Sequence, residues 1–168
     1  MIVVLMGVCG CGKTTVGRAL AADLGWPFHD ADVFHPPANV AKMAAGTPLT
    51  DDDRWPWLDR IAAAMREIDA AGRNAVLACS ALKQSYRDRI ARAGDVRFVS
   101  LKGDVATIGA RLAARQHEYM PASLLPSQFA TLEEPADALV VDIRADVPTQ
   151  VAAIRDGLAL HATARTPA

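Results

Sequence analysis

The stretch from Ile2 to Leu24 constrains this chain more than any other. Ile2-Val3-Val4-Leu5-Met6 is an uninterrupted, β-branched apolar run, the pattern of a strand buried on both faces, as strands of a parallel sheet are. Gly7-Val8-Cys9-Gly10-Cys11-Gly12-Lys13-Thr14 follows at once and matches G-x-x-x-x-G-K-[ST] at every fixed position. Behind it Val16, Leu20 and Leu24 recur every four positions on an Ala-rich background until Gly25, which predicts an amphipathic helix with a glycine stop. A buried strand, a glycine turn and a helix form the first half of a βαβ unit, and so point to a parallel sheet.

The glycine turn also carries chemistry. Its glycines let the backbone curl until successive N–H groups face one anion, and the helix start adds its positive end. Lys13 then reaches the β and γ phosphates of a nucleotide, and Thr14 offers a hydroxyl to Mg²⁺. The expected nucleotide set is Gly7, Gly10, Cys11, Gly12, Lys13, Thr14 and Thr15. Cys9 and Cys11 read as small packing residues standing in for Ser. With Cys79 they make neither a disulfide framework nor a paired zinc motif, so free thiols in a reducing cytoplasm are expected.

Further along, Trp26 to Asp30 is a weak second strand, Pro36-Pro37 opens a helix running to Gly46, and Thr50 with Asp53 resembles a capping pair for a helix to Gly72. Ala75–Cys79 and Val96–Leu101 read as strands, Leu82–Ala93 as a helix, and Asp104 caps another helix through Arg115. Gln116 to Pro126 holds two prolines and no apolar period, which marks a mobile lid. Leu139–Ile143 is a fifth strand, Val147–Leu160 a last helix, and residues 161–168 a frayed tail. Strands alternating with helices predict an α/β fold: a three-layer α/β/α sandwich around a five-stranded parallel sheet.

Composition narrows the class. With 168 residues the chain fits one domain, 1–168, and its net charge of −1 lacks the single-sign excess of nucleic-acid or membrane-surface binders. No apolar run reaches the ~18 residues of a membrane span. No guanine-reading Asn-Lys-x-Asp occurs, which argues against a GTPase switch, and a motor ATPase would be larger. A small kinase fits best. Asp30-x-Asp32 supplies two carboxylates on one side of an extended chain. Phosphoryl transfer to an alcohol needs one to take the hydroxyl proton, here Asp32, and another to support the metal, here Asp30.

The residues then resemble the small gluconate kinases. The likeness runs through Gly7–Thr14, Asp30-Ala31-Asp32 with His35-Pro36 and Asn39, Lys42-Met43, Pro48-Leu49, and Asp51-Asp52-Asp53-Arg54 with Pro56-Trp57-Leu58. It continues through Cys79–Lys83 with Tyr86-Arg87-Asp88, and Gln128-Phe129 with Thr131–Glu133. The resemblance implies transfer of the ATP γ-phosphate to the 6-hydroxyl of D-gluconate, in a fold similar to shikimate and nucleoside monophosphate kinases, as a homodimer. A kinase for another hydroxy acid such as shikimate, or a nucleotide-dependent regulatory binder, is the alternative. Gluconate's carboxylate and hydroxyls call for a guanidinium fork and several acceptors. Arg54 and Arg87 are the expected clamps, with His35, Asp52 and Lys83 as hydroxyl partners. The resemblance further suggests that Arg115 meets the transferring phosphate and Arg111 lies nearer the adenine. Three departures stand out: Cys9 and Cys11 where Ser is usual, His117-Glu118 where Gly-His is usual, and Trp55 beside Arg54.

Overall fold

The computed structural model describes residues 1–113 and 125–161. Most of the lid segment, with Arg115, His117 and Glu118, and the tail from residue 162 lie outside the described residues. Five strands, β1 (Ile2–Met6), β2 (Phe28–Asp30), β3 (Ala75–Ala78), β4 (Val96–Lys102) and β5 (Leu139–Asp142), form one sheet in the order β2-β3-β1-β4-β5. Every neighbouring pair is parallel. The helices are α1 (Lys13–Leu24), α2 (Pro37–Ala44), α3 (Asp51–Ala70), α4 (Gln84–Ala91), α5 (Val105–Ala113), α6 (Leu125–Thr131) and α7 (Val147–Gly157).

β1 shows why the sandwich has three layers. Its residues are all fully buried, but successive side chains leave by opposite faces. Val3 and Leu5 join Val16, Leu20 and Leu24 of α1 and Val151 and Ile154 of α7 in one core. Ile2, Val4 and Met6 join Leu58, Ile61 and Met65 of α3 and Tyr86 and Ile90 of α4 in the other. At roughly 1.5–3 kcal/mol per buried aliphatic side chain, these two cores supply the main driving force for folding.

The connections after β1 run toward β2 and those after β4 run toward β5, so the order reverses beside β1. Ligands of open parallel sheets bind at the carboxyl ends of the strands at such a reversal. The glycine loop leaves β1 there.

Local expectations meet the structure in particular places. Thr50 and Asp53 form a full capping box at the start of α3: Asp53 N donates to Thr50 Oγ1 (3.3 Å) and Thr50 N to Asp53 Oδ2 (2.9 Å). The second strand is shorter than the sequence suggests, starting at Phe28 after Pro27. Chain expected to belong to an irregular lid is already helical at Leu125 and Pro126, because proline fits the first turn of a helix. Sequence periodicity does not signal this short helix, α6.

Candidate active site

The loop between β1 and α1 takes its shape from glycines at positive φ: Gly7 at 136°, Gly10 at 83° and Gly12 at 105°. A methyl group on Gly7 would come within 2.9 Å of Cys11 Sγ and 3.0 Å of the Leu101 carbonyl, so no larger residue fits. Lys13 arches back over this curl and donates to the carbonyls of Gly7 (2.9 Å) and Val8 (3.0 Å). Thr14 and Thr15 stand exposed in the first turn of α1. Cys11 is buried under the loop, and the Cys9 N–H donates to Gln128 Oε1 of α6 at 2.6 Å. The unanticipated helix therefore braces the loop. Arg111, on α5, donates to the Ile143 carbonyl at 2.5 Å, beside the end of β5. Its Nη1 lies 3.9 Å from where a Cβ on Gly12 would sit, so it borders the loop on the side away from β2.

On the other side stand the carboxylates. Asp30 ends β2 and its Oδ2 accepts from Thr14 Oγ1 at 3.4 Å. The expectation that Asp30 and Asp32 share one side of an extended chain needs correction. The chain turns into a 3₁₀ helix at Ala31–Phe34, and Asp30 caps it, with Oδ1 accepting from the Asp32 N–H at 3.2 Å. A tight turn, and not strand alternation, brings the two carboxylates to the same mouth. The Asp32 carboxyl is held above its ordinary value, first by loss of water around it and then by Asp30, while Lys13 opposes. Its side chain nonetheless keeps 87% of its accessible surface, so water screens much of this.

The far side of the mouth is built by α3 and α4. The three acids opening α3 cannot all face the cleft, since successive helical residues point about 100° apart. Asp53 is committed to the cap and to Lys42 at 2.7 Å. Asp52, expected as a hydroxyl partner, is exposed and outside the cluster. Its neighbour Asp51 takes that place, accepting from Lys83 Nζ at 2.6 Å and from the Tyr86 hydroxyl. These bonds, Lys83 first, hold the Asp51 carboxyl below its usual range and raise the Lys83 ammonium. Arg54 sits 3.8 Å from Asp51 with its guanidinium over the Tyr86 ring, and donates to the Leu49 carbonyl at 2.5 Å.

Arg87 does not sit where a substrate clamp would. It is 2% exposed and spends its guanidinium inside the protein, on the carbonyls of Ala81 (3.0 Å) and Leu82 (3.1 Å) and on Gln84 Oε1 (2.8 and 3.2 Å). Burial lowers its pKa. Ala81 is held at a φ of 42°, an uncommon backbone for a residue with a Cβ. Arg87 thus pins the strained turn that delivers Lys83, acting one step behind the site.

His35 completes the mouth. It stacks on Trp57 with ring centroids 4.3 Å apart, its Nδ1 faces Asn39 Nδ2 at 3.3 Å, and its Nε2 lies 4.0 Å from Asp32 Oδ1. Burial first, then Arg54, pushes its pKa down to about 4. Trp55, a residue that departs from the resemblance, meets Tyr86 edge-on at 5.7 Å and has the Arg89 guanidinium over its ring at 5.5 Å. Asp51, Asn39, Tyr86 and Gln128 all belong to the quoted motif blocks, and that was the available signal for them.

A small cavity of about 120 Å³ lies behind the loop, between Val8, Leu101, Ile108, Phe129 and Leu132. Ser100, Lys102 and Glu134 also line it, the last two paired with each other at 3.1 Å, whereas Asp30, Asp32 and Asp51 lie outside it.

Comparison with known proteins shows the family. The family model for shikimate kinase matches residues 9–139. A gluconokinase of Gluconobacter oxydans is 53% identical over 136 residues, covering 80% of this chain and 76% of its own. Among solved structures, a sugar kinase from Janibacter sp. HTCC2649 superposes with a TM-score of 0.87 at 43% identity, covering 95% of this chain and 94% of that one. A gluconokinase from Sinorhizobium meliloti superposes with a TM-score of 0.81 at 42% identity, covering 94% and 90%. With a loop that cradles phosphates, paired carboxylates beside it and kinship along most of its length, this chain belongs to the gluconokinase family of P-loop kinases.

Proposed function

We propose that this protein transfers the γ-phosphoryl group of ATP to the 6-hydroxyl of D-gluconate, giving 6-phospho-D-gluconate. One observation carries the reading. In this chain, 53% identical to a gluconokinase, Asp32 lies within the influence of the Lys13 charge and 4.0 Å from His35, and His35 lies within that of Arg54, which stands 3.8 Å from the Asp51 carboxylate paired with Lys83. Phosphate chemistry stands at one end and recognition of a hydroxylated anion at the other. The shikimate alternative draws on the name of the broad family model, but the 53% relative is a gluconokinase.

Each residue has a role in this proposal. The loop N–H groups from Gly7 to Thr14 and the start of α1 hold the β and γ phosphates, with Thr15 alongside. Lys13 exchanges its loop carbonyls for phosphate oxygens and offsets charge on the leaving phosphoryl group. Thr14 and Asp30 present exposed oxygens close together, the hard donors that Mg²⁺ takes while keeping most of its waters. When bound, Mg²⁺ supplies charge neutralisation to the phosphates. Asp32 accepts the proton of the attacking hydroxyl, and its raised pKa makes it a better base than an ordinary carboxylate. Arg54 and Lys83 receive the gluconate carboxylate and hydroxyls, with Asp51 and His35 as further partners. Arg111 borders the nucleotide, and Arg115 contacts the transferring phosphate.

The proposal extends to a homodimer in the cytoplasm, following the family resemblance. The thiols of Cys9, Cys11 and Cys79 are unpaired, which suits a reducing compartment. No described helix is long and apolar enough to cross a membrane.

A panel of acceptors in a coupled ADP-release assay tests the function, with D-gluconate, shikimate and other sugar acids compared at equal concentration. D-Gluconate should give the highest kcat/KM. A higher value with shikimate, or no substrate-dependent ADP release with any acceptor, would overturn the reading. Light scattering during size exclusion tests the dimer.

A further inference from the structure

His35 is a neutral ring whose two nitrogens have different neighbours, and a single side chain decides which of them carries the hydrogen. Asn39 is 3% exposed. Its Nδ2 lies 2.8 Å from the backbone carbonyl of Asp53. A carbonyl oxygen can only accept, so the Asn39 group facing it must be the NH₂ end of the amide. The same nitrogen is 3.3 Å from His35 Nδ1. One of its hydrogens goes to Asp53 and the other points at the imidazole. Nδ1 must then be the acceptor, and in a neutral ring the hydrogen sits on Nε2.

The surroundings hold the ring in place. Its face lies on Trp57 at an interplanar angle of 11°, and Trp57 Nε1 is itself anchored to the Ala31 carbonyl at 2.7 Å. The side chain of His35 is only 5% exposed. Asn39 sits on α2, the accepting carbonyl on α3, and the ring just after the 3₁₀ turn. Three elements thus converge on one tautomer.

We propose that Asn39 is a positioning residue for phosphoryl transfer: it fixes His35 as the Nε2–H tautomer, so that His35 donates to the oxygen of the acceptor hydroxyl while Asp32 receives that hydroxyl's proton. The gap between His35 Nε2 and Asp32 Oδ1 is 4.0 Å, too long for a direct hydrogen bond. Two hydrogen bonds of about 2.8 Å each bridge such a gap through one oxygen bent near a right angle. The hydroxyl oxygen accepts from Nε2–H and donates its own hydrogen to Asp32. As the oxygen–phosphorus bond forms, the O–H electron pair stays on oxygen, the proton passes to Asp32, and the bond from phosphorus to the ADP oxygen breaks. The opposite tautomer would present a lone pair to that oxygen and compete with Asp32 for the same hydrogen.

This inference rests on the kinase reading above, but its first test does not need activity. In protein labelled with ¹⁵N at histidine, long-range ¹H–¹⁵N spectra at neutral pH separate the two tautomers, and loss of one signal set in His35→Gln assigns the ring. The expected pattern is a protonated Nε2 and an unprotonated Nδ1. A protonated Nδ1 overturns the proposal whatever the enzyme phosphorylates. The second test is Asn39→Asp, whose carboxylate can only accept and so draws the hydrogen to Nδ1. Turnover with D-gluconate should fall by about tenfold or more, in the range that positioned proton-transfer partners contribute, while the ATP KM stays within about twofold. A variant with the switched tautomer and unchanged turnover overturns the role. Should that variant not fold, titration of the unaltered protein with D-gluconate decides. The His35 Nε2 signal must move more than Nδ1, and an unmoved Nε2 in a protein that phosphorylates gluconate sinks the proposal.

Discussion

Thr14 Oγ1 stands 3.4 Å from Asp30 Oδ2, joining the first turn of α1 to the last residue of β2. The hydroxyl that follows the phosphate-binding lysine and the first of two carboxylates therefore share one edge of the sheet. In the proposed reaction this edge holds Mg²⁺. Asp30→Asn keeps the cap of the 3₁₀ turn but weakens the donor set, so the Mg²⁺ concentration for half-maximal rate should rise several-fold while the gluconate KM changes little. Rate against free Mg²⁺ at fixed ATP measures it; an unchanged midpoint would remove Asp30 from the metal.

Lys13 makes its described hydrogen bonds only within the loop, so its loss should spare the fold. Lys13→Ala should lower kcat by two or more orders of magnitude, about 2.7 kcal/mol or more of transition-state stabilisation, with thermal stability near that of the unaltered protein. Turnover retained within fivefold would exclude Lys13 from the chemistry.

As the proposed base, Asp32 must be ionised to act. Its carboxyl is raised by its surroundings and by Asp30, so kcat/KM should fall with decreasing pH at a point above the ordinary carboxylate value of about 3.9. Asp32→Asn should cut kcat far more than ATP affinity and abolish that acid limb. If the gluconate KM alone rises, Asp32 binds and does not serve as base.

Arg87 is the prediction about stability. Arg87→Leu leaves the carbonyls of Ala81 and Leu82 without their buried donor, and should destabilise the fold by about 2–4 kcal/mol. Urea denaturation reads the change directly. A loss below 1 kcal/mol with a large rise in gluconate KM would return Arg87 to the role of a substrate clamp.

Acid stability tests His35. Its pKa falls from 6.5 in the unfolded chain to about 4 in the folded one. Below pH 6.5 the unfolded state binds more protons, so the neutral ring's contribution is full above 6.5 and is lost as pH falls through about 4. The difference in Tm between the unaltered protein and His35→Gln, followed by calorimetry, should shrink across that window and level off below it. A constant difference would mean that His35 is not buried neutral.

Much of this molecule is written in local sequence. Ile2–Met6 has no polar position, and only a central parallel strand buries both faces, so the core layer and the loop chemistry were readable together. The capping box at Thr50 and Asp53 was readable for the same reason, since both partners lie within one turn. Choices among equivalent neighbours were not. Asp51, Asp52 and Asp53 look alike in sequence; helical rotation and the arrival of Lys83 and Tyr86 from α4 select Asp51. Arg54 and Arg87 look alike as clamps until packing buries one of them against its own turn. Asn39 becomes meaningful only when α2, α3 and the 3₁₀ turn meet around it. Local periodicity determines the elements because it acts through neighbouring residues, whereas partner choice depends on contacts distant in sequence that exist only once the layers have packed.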